Sequence, residues 1–327
     1  MKILYITDTH IRGNNPANRI DNLPETLKNK LREINKIAIE NKVDYILHGG
    51  DFFDTPSPSL AITGEFLEIF REFEAPIYVI SGNHDLFGAN LSSLPRTLLG
   101  FLSRLGFINI LNPGVPIYIH KNNVKLQLTG QPYHFDMDRR SVELDYVVKK
   151  GACDVAIHMV HGMLSYEKEF PGDVTLIEQI TNTEADITLS GHNHLGFGVI
   201  EKDDKHFINP GAVVRLSNHK SELTRNINVC LISLESKIDC KLIPLTSALN
   251  GTDVLDRTKL EEKAAMELKL EMFASEIKNV ADMERMNVKN IIDEVVEKLG
   301  ESTEVRKEAL KRISIVEEKF SFRDGWD

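Results

Sequence analysis

The chain has 327 residues, enough for one large domain with an appendage or for two domains. With 42% apolar and 27% charged residues its composition is that of a soluble globular protein, and no apolar run approaches the ~18 residues a membrane span needs. A formal net charge of −10 leaves no basic footprint for tight, non-specific binding to nucleic acid, although bound cations can supply positive charge locally. Cys153, Cys230 and Cys240 are too few and too scattered for a disulfide framework or a zinc knuckle. Met1–Ile6 runs directly into a motif rather than forming a cleavable signal, so the expected compartment is the cytoplasm, with no membrane partner.

Residues 3–8, Ile-Leu-Tyr-Ile-Thr-Asp, predict a short buried strand ending in a carboxylate, and Asp8-Thr9-His10 follows it. Apolar Leu27, Leu31, Ile34 and Ile37 share one face of a helix over Leu23–Glu40. Val43–Leu47 is a second strand, running into Gly49-Gly50-Asp51, and Ser59–Phe73 a second helix. Pro76–Ile80 is a third strand, ending in Gly82-Asn83-His84-Asp85. This alternation of strand and helix implies a mainly parallel sheet covered by helices, in which sites form beyond the carboxyl ends of the strands.

Further on, a helix is expected over Leu94–Leu105 and an antiparallel pair over Val115–His120 and Val124–Gly130. Asp138–Lys150 and Val174–Thr181 are expected to be helical, and Asp154–Val160 is a buried strand ending in His161-Gly162. The apolar run Ala185–Ser190 ends in Gly191-His192-Asn193-His194, and two hairpins follow, over 196–209 and 227–245. From 247 onward three charged amphipathic helices are expected, with 14 basic against 19 acidic residues from 251 to the end. Their apolar stripes include Leu260, Ala264, Leu268 and Met272, then Ile291, Val295 and Leu299, then Leu310 and Ile313. The chain therefore divides at 246/247, into a catalytic domain over 1–246 and a helical extension over 247–327.

Five strand ends carry metal-ligating residue types: Asp8-x-His10, Gly50-Asp51, Gly82-Asn83-His84-Asp85, His161-Gly162 and Gly191-His192-x-His194. Singly each has a bland reading: Asp8 as a turn residue, Asn83 as a cap, His161 as a satisfied core histidine. Together, each at a strand end beside a glycine or turn, they point to one site.

The set resembles the calcineurin-like metallophosphoesterases, whose motifs are D-x-H, GD, GNH(D/E), H and GH-x-H; the resemblance covers about residues 1–215. Within that superfamily, Gly50-Asp51-Phe52-Phe53-Asp54-Thr55-Pro56 and Gly82-Asn83-His84-Asp85 resemble the SbcD/Mre11-type DNA repair exonuclease group. The serine/threonine protein phosphatases differ in carrying Arg-Gly after the second aspartate and GNHE. The resemblance implies a four-layer α/β/β/α sandwich and two divalent metal ions, with Mn²⁺ the usual choice and Fe or Zn²⁺ as alternatives. It assigns Asp8, His10 and His194 to the first metal, Asn83, His161 and His192 to the second, and Asp51 to a bridge between them. It makes His84 the non-ligand histidine that contacts phosphate and protonates the leaving oxygen, with Asp85 orienting its imidazole.

Several residues have two readings. Asp54 is either a partner that orients a ligand histidine or a helix N-terminal carboxylate. Arg12 and Arg215 are candidate phosphate contacts, each with a structural alternative, and His134 lines the cleft or serves the fold. His48 and His158 are expected in the core or behind the ligands.

The resulting expectation is a two-metal phosphodiesterase, a DNA exo- or endonuclease of the repair type. The alternatives are an esterase of small or cyclic nucleotides, and a non-catalytic scaffold. In the nuclease group a helical segment grips an SMC-like ATPase, so the C-terminal helices would pack on the sheet or form a homodimer, or else dock such a partner, with Phe320, Phe322 and Trp326 as anchors.

Overall fold

The computed structural model describes residues 1–168, 172–235, 237–281 and 288–321; among these, the side chains of 259–260, 263–264, 274–281, 288–291, 313–314 and 316–321 lie outside the description. Two compact units divide the chain, Met1–Leu255 and Asp256–Asp327.

Strands in the first unit are β1 (Lys2–Ile6), β2 (Tyr45–His48), β3 (Ile77–Val79), β4 (Asn109–Ile110), β5 (Ile117–Lys121), β6 (Val124–Gln131) and β7 (Val155–Gly162). They continue as β8 (Leu164–Ser165), β9 (Thr175–Leu176), β10 (Ile187–His192), β11 (Gly198–Lys202), β12 (Lys205–Asn209), β13 (Asn228–Leu234) and β14 (Ile238–Pro244). The helices are α1 (Leu23–Glu40), α2 (Leu60–Phe70), α3 (Leu98–Arg104) and the single turns α4 (Ser221–Thr224) and α5 (Gly251–Val254).

One six-stranded sheet has the order β14-β13-β1-β2-β3-β4 and a second β11-β12-β10-β7-β6-β5. β1 to β4 run parallel, as do β6, β7, β10 and β12, and antiparallel strands flank each set. Parallel strands covered on both faces need continuous apolar runs, which is why β1, β7 and β10 are buried along most of their length. The two sheets face each other across a core in which Ile3, Tyr5, Leu47 and Ile80 meet Leu128, Ile157, Met159 and Leu189.

Alternate residues of β1 point the other way: Leu4 and Ile6 pack against Leu27, Leu31 and Ile34 of α1 and Phe66 and Ile69 of α2. α1 has the bounds its apolar period predicts, with Asn22 capping Glu25 N and Pro24 in the first turn. The expected helix over 94–105 is split: a 3₁₀ segment, Leu91–Arg96, contains Pro95, and Thr97 then caps α3 by accepting from Gly100 N.

The outer face of the second sheet is covered by turns where two helices are expected. Within 138–150 only a 3₁₀ turn forms, Val142–Leu144; within 174–181 there is β9 and the 3₁₀ turn Ile177–Gln179. The second stretch is rich in β-branched residues (Val174, Thr175, Ile177, Ile180, Thr181), which lose rotamer freedom in a helix. Asp138 adopts a left-handed backbone, φ 63°, and its carboxylate collects Thr175 Oγ1 (2.7 Å), Met163 N (2.7 Å) and the Tyr146 hydroxyl. Tyr146, Ile177 and Ile180 then turn inward onto Val160 and Phe207, forming the fourth layer.

Residues 247–255 belong to the first unit, so the division falls after Leu255 rather than after 246. Thr246 and Ser247 bind the Glu33 carboxylate on α1, and Leu255 bridges to Arg19. The second unit consists of α6 (Thr258–Ala281), α7 (Val288–Leu299) and α8 (Thr303–Ser321). Its core joins Leu270 and Phe273 to Ile292, Val295, Val305 and Ala309. The expected stripe on α6 is not that face: Leu268 and Met272 are 58% and 55% exposed, because the neighbouring helices cover Leu270 and Phe273 instead. Leu299 is also partly exposed, at 38%. The side chains of Leu260, Ala264, Ile291, Ile313 and Phe320, and residues Phe322 and Trp326, lie outside the described set. No described helix is long and apolar enough to cross a membrane.

Two histidines are buried without charge. His158 lies between Asp145 O (2.8 Å) and Thr129 Oγ1 (2.9 Å), and burial lowers its pKa. His48 accepts from Gly50 N (3.2 Å) and faces Thr9 Oγ1 (3.0 Å), and burial holds it down to about 3 from the ordinary 6.5. An unfolded chain takes up these protons near 6.5 while the folded chain refuses them, so stability falls as pH drops below that value. For His48 the slope reaches about 1.4 kcal/mol per pH unit between the two pKa values. Melting temperature followed from neutral pH to about 5 should fall less steeply for His158→Gln than for wild type; equal slopes would count against the assignment.

Candidate metal centre

β1, β2, β3, β7 and β10 all end at one edge of the two sheets, which brings the five motifs together. The turns that follow are strained. Asp8, His10, Asp51 and His192 have φ of 52°, 42°, 50° and 70°, a left-handed region that non-glycine residues seldom adopt. Backbone bonds hold them there: Asp8 N donates to Gly50 O (3.1 Å), His10 N to Asp51 O (3.0 Å), and His192 N to the Asp8 carboxylate (3.2 Å). The motif glycines allow this close approach. A Cβ at Gly82 would sit 2.1 Å from Asp51 Oδ1, and one at Gly191 2.5 Å from Gly49 O.

The donor atoms converge in two groups sharing Asp51. In one, the ligand atoms of Asp8, His10, Asp51 and His194 lie within 4.8 Å of one another; in the other, those of Asp51, His161 and His192 do. Asn83 Oδ1 joins the second, 3.2 Å from His161 Nε2. Asp51 Oδ2 stands between them, 3.5 Å from His10 Nε2 and 3.4 Å from His161 Nε2.

Second contacts aim these atoms. His161 Nδ1 donates to Gly49 O (2.7 Å), which turns Nε2 inward. Thr7 Oγ1 donates to Asp8 Oδ2 (2.6 Å), and Asp51 Oδ1 accepts from His84 N (2.8 Å). Asp54 Oδ1 faces His10 Nδ1 at 3.5 Å.

Divalent cations fit this arrangement. Asp51 Oδ2 is buried without a hydrogen-bond partner, an expensive state for a carboxylate oxygen unless a cation meets it. His10 Nε2 and His194 Nε2 face each other at 3.0 Å, as two lone pairs sharing a cation do. Burial opposes charge at Asp8 and Asp51, yet His194 beside the first and His161 beside the second hold both carboxyls below their usual range. Burial likewise opposes protonation of His161, but Asp51 overrides it and pushes the histidine up to about 9. Protons thus occupy places where the carboxylate field calls for positive charge. Carboxylate, imidazole and amide donors without thiolate suit borderline-to-hard divalent ions.

Other residues fall differently from expectation. His84 is exposed at the mouth, edge-on to His10 with ring centroids 4.7 Å apart, and its Nδ1 donates to Asp54 O (2.9 Å). Asp54, through its carbonyl, therefore orients His84, and Asp85 does not. The Asp85 carboxylate is buried and accepts from Phe52 N (3.1 Å), Phe53 N (2.9 Å) and Gly82 N (2.9 Å), tying two motif loops together. Burial, then the Asp51 charge, raise its pKa to about 7. Asp85→Ala would leave those three N–H groups unsatisfied and should cost roughly 2–5 kcal/mol in chemical denaturation. A loss below about 0.5 kcal/mol would remove this structural role.

Arg12 is paired with Asp54 (3.1 Å) on the far side of that carboxylate from His10. Arg215 is not available to phosphate: its guanidinium is buried and donates to the carbonyls of Glu222 (2.9 Å), Leu249 (3.1 Å) and Arg225 (2.6 Å). His134 serves the fold through Asp145 (2.9 Å). Tyr133, which carries no motif, is the neighbour that sequence reasoning missed, its ring 5.5 Å from that of His192 and 6.1 Å from that of His161.

Comparison with known proteins agrees with this geometry. DNA double-strand break repair protein Mre11 of Saccharolobus solfataricus is 30% identical over 136 residues, 41% of this chain and 33% of that protein. The protein of the same description from Archaeoglobus fulgidus is 25% identical over 239 residues, 66% of this chain and 50% of that protein. The match thus spans between a third and half of these relatives' own length. A solved structure, GAP50, the anchor in the inner membrane complex of Plasmodium, aligns with a TM-score of 0.44 at 13% identity, over 75% of this chain and 85% of that one. The family model described as calcineurin-like phosphoesterase matches residues 1–196, the stretch whose strand ends build the cluster. A match over more than half the chain, onto the elements that carry every converging donor, makes this protein a member of the calcineurin-like phosphoesterases, hydrolases of phosphate esters.

Proposed function

We propose that the chain is a two-metal phosphodiesterase whose substrate is DNA, a nuclease of the double-strand-break-repair type. The observation that carries the two-metal part is Asp51 Oδ2, buried, unpartnered and placed between the two donor groups. The Mre11 relatives support the choice of DNA. Asp8, His10 and His194 would hold the first cation, Asn83, His161 and His192 the second, and Asp51 would serve both. Bound there, the cations would lower the pKa of a shared water and neutralise charge developing on the phosphoryl oxygens. Among Mn²⁺, Fe and Zn²⁺, Mn²⁺ suits the mixed oxygen and nitrogen donors.

His84 does the remaining proton chemistry. Its Nδ1 is committed to Asp54 O, so Nε2 is the atom that delivers a proton to the leaving oxygen. Its exposure at the mouth gives substrate access. The C-terminal helices serve as a contact element for a second copy or an SMC-like ATPase, and the exposed Leu268 and Met272 on α6 support an outward-facing apolar surface.

The test is hydrolysis by metal-free protein resupplied with Mn²⁺, on single- and double-stranded DNA, a 2′,3′-cyclic nucleotide and a chromogenic diester. Metal-dependent cleavage of DNA is the expected result. Cleavage of the small esters alone would move the substrate to nucleotides, and metal binding without any turnover would make the chain a scaffold.

A further inference from the structure

Residues 211–216 belong to no strand, yet they lie against the first half of the metal centre. Ala212 N donates to His194 O (2.9 Å) and Val213 N to Thr7 O (3.2 Å). Asn209 Nδ2 donates to Asn193 O (3.1 Å), tying the same stretch to the other side of His194. Its carbonyls have no strand to pair with, and buried carbonyls need donors. Four in a row are met by cationic side chains: Ala212 O by Arg225 Nη1 (2.9 Å), Val213 O by Lys30 Nζ (2.9 Å), Val214 O by Arg225 Nη2 (3.0 Å), and Arg215 O by Arg19 Nη1 (3.1 Å).

This is an unusual way to close a loop. Lys30 is 2% exposed, and the side chains of Arg19 and Arg225 are 1% and 8% exposed. Asp21 and Glu222 pair with the two arginines, and Lys30 donates to a carbonyl. Burial and then the neighbouring arginines hold the Lys30 amine down to about 7. A peripheral loop with solvated carbonyls would close the chain at lower cost. What the buried cations add is a donor for each carbonyl of a stretch whose N–H groups grip the residue before Asp8 and His194 itself.

The second half of the centre has a different support. Asp138 Oδ2 accepts from Met163 N (2.7 Å), and Met163 forms a β-bridge with His192. Asp138 Oδ1 accepts from Thr175 Oγ1 (2.7 Å) and from the hydroxyl of Tyr146, which lies against Gly162, the residue after His161. One carboxylate therefore braces the backbone beside both second-position histidines.

We infer that the two metal positions are held by separate supports of opposite charge: Arg225, Lys30 and Arg19 position Asp8 and His194 through the 212–215 carbonyls, while Asp138 positions His161 and His192. The inference rests on the two-metal reading proposed above. Its consequence is that either position can be weakened more than the other, the bond from His192 N to the Asp8 carboxylate (3.2 Å) being the link between them. These are positioning residues that touch neither metal nor substrate.

Calorimetric titration of the metal-free full chain with Mn²⁺ tests it, with the melting temperature of the metal-free protein recorded alongside. Wild type should take up two equivalents. Arg225→Lys, whose single amine cannot serve Ala212 O and Val214 O together, should weaken one position by about 10–100-fold, the usual scale for loss of an outer-sphere support. Placed in His192→Ala, where the first position remains, Arg225→Lys should show this loss; in His194→Ala the loss should be smaller. Asp138→Asn should behave in the opposite way. Lys30→Met offers a second probe of the cationic support: it leaves Val213 O without its donor, so first-position affinity should fall more than second-position affinity, with the metal-free melting temperature level or slightly lower. A wild type that binds two Mn²⁺, with variants that weaken both positions equally or neither, would overturn the inference and leave the two-metal reading intact. A wild type that takes up no metal would overturn the reading, and the inference with it.

Discussion

Asp51→Asn should lower phosphodiester hydrolysis by about 10³–10⁵-fold and abolish uptake of the second equivalent of metal. The estimate follows from a metal's several kcal/mol of transition-state stabilisation, at 1.36 kcal/mol for each tenfold in rate. Asp51 Oδ2 is the atom placed between the two donor groups, at 3.5 Å from His10 Nε2 and 3.4 Å from His161 Nε2. An asparagine there retains an acceptor for His84 N, which Asp51 Oδ1 now serves at 2.8 Å, so the loop should keep its shape. It removes the negative charge that makes the pocket call for cations. Metal-free, the variant loses the pairing of Asp51 with His161 as well as the repulsion from Asp8, so its melting temperature should stay level or fall. Melting curves with and without Mn²⁺, set beside the rate, give the check. A rate within tenfold of wild type with two metals bound would remove Asp51 from the bridging position.

The second large effect is expected at His84. His84→Ala should lower turnover by about 10²–10⁴-fold, the usual scale for loss of a general acid, with metal uptake unchanged. The geometry separates the two outcomes. His84 touches the ligands only through ring contact with His10 and through its backbone N–H to Asp51, and alanine keeps the backbone bond. Its imidazole is committed at Nδ1 to Asp54 O, leaving Nε2 for substrate. A chromogenic diester with a good leaving group needs less protonation, so the variant should lose less on it than on DNA. Equal losses on both substrates would point to phosphate binding instead of proton transfer. Unchanged turnover in the metal-replete variant would end the proposed role.

Much of the donor set is visible in the sequence, for a local reason. Parallel strands buried on both faces are continuous apolar runs, and each run here stops at a polar motif beside a glycine or turn. The apolar run before Gly191-His192-Asn193-His194 could therefore be placed beside those before Asp8 and Asp51 without coordinates. Asp85 shows where locality fails. It follows His84 in the chain, which invites a partnership, but its carboxylate closes on Phe52, Phe53 and Gly82. Arg215 follows a turn near the site, and burial spends its guanidinium on three carbonyls. On α6, residues 268 and 272 and residues 270 and 273 each make an apolar stripe at helical spacing, and only the neighbouring helices choose between them.

By itself the sequence determined the strand-helix alternation of the first 80 residues, the five strand-end motifs and the family they resemble, because hydrophobic periodicity and short motifs are properties of neighbouring residues. Tertiary structure alone decided the left-handed turns that aim Asp8, His10, Asp51 and His192, the turn-built fourth layer, the place of Tyr133 and the cationic support of 212–215. Those features depend on contacts such as Lys30 with Val213 or His10 with His194, between residues more than 180 positions apart. Such contacts are set by how two sheets stack, and no window of sequence contains both partners.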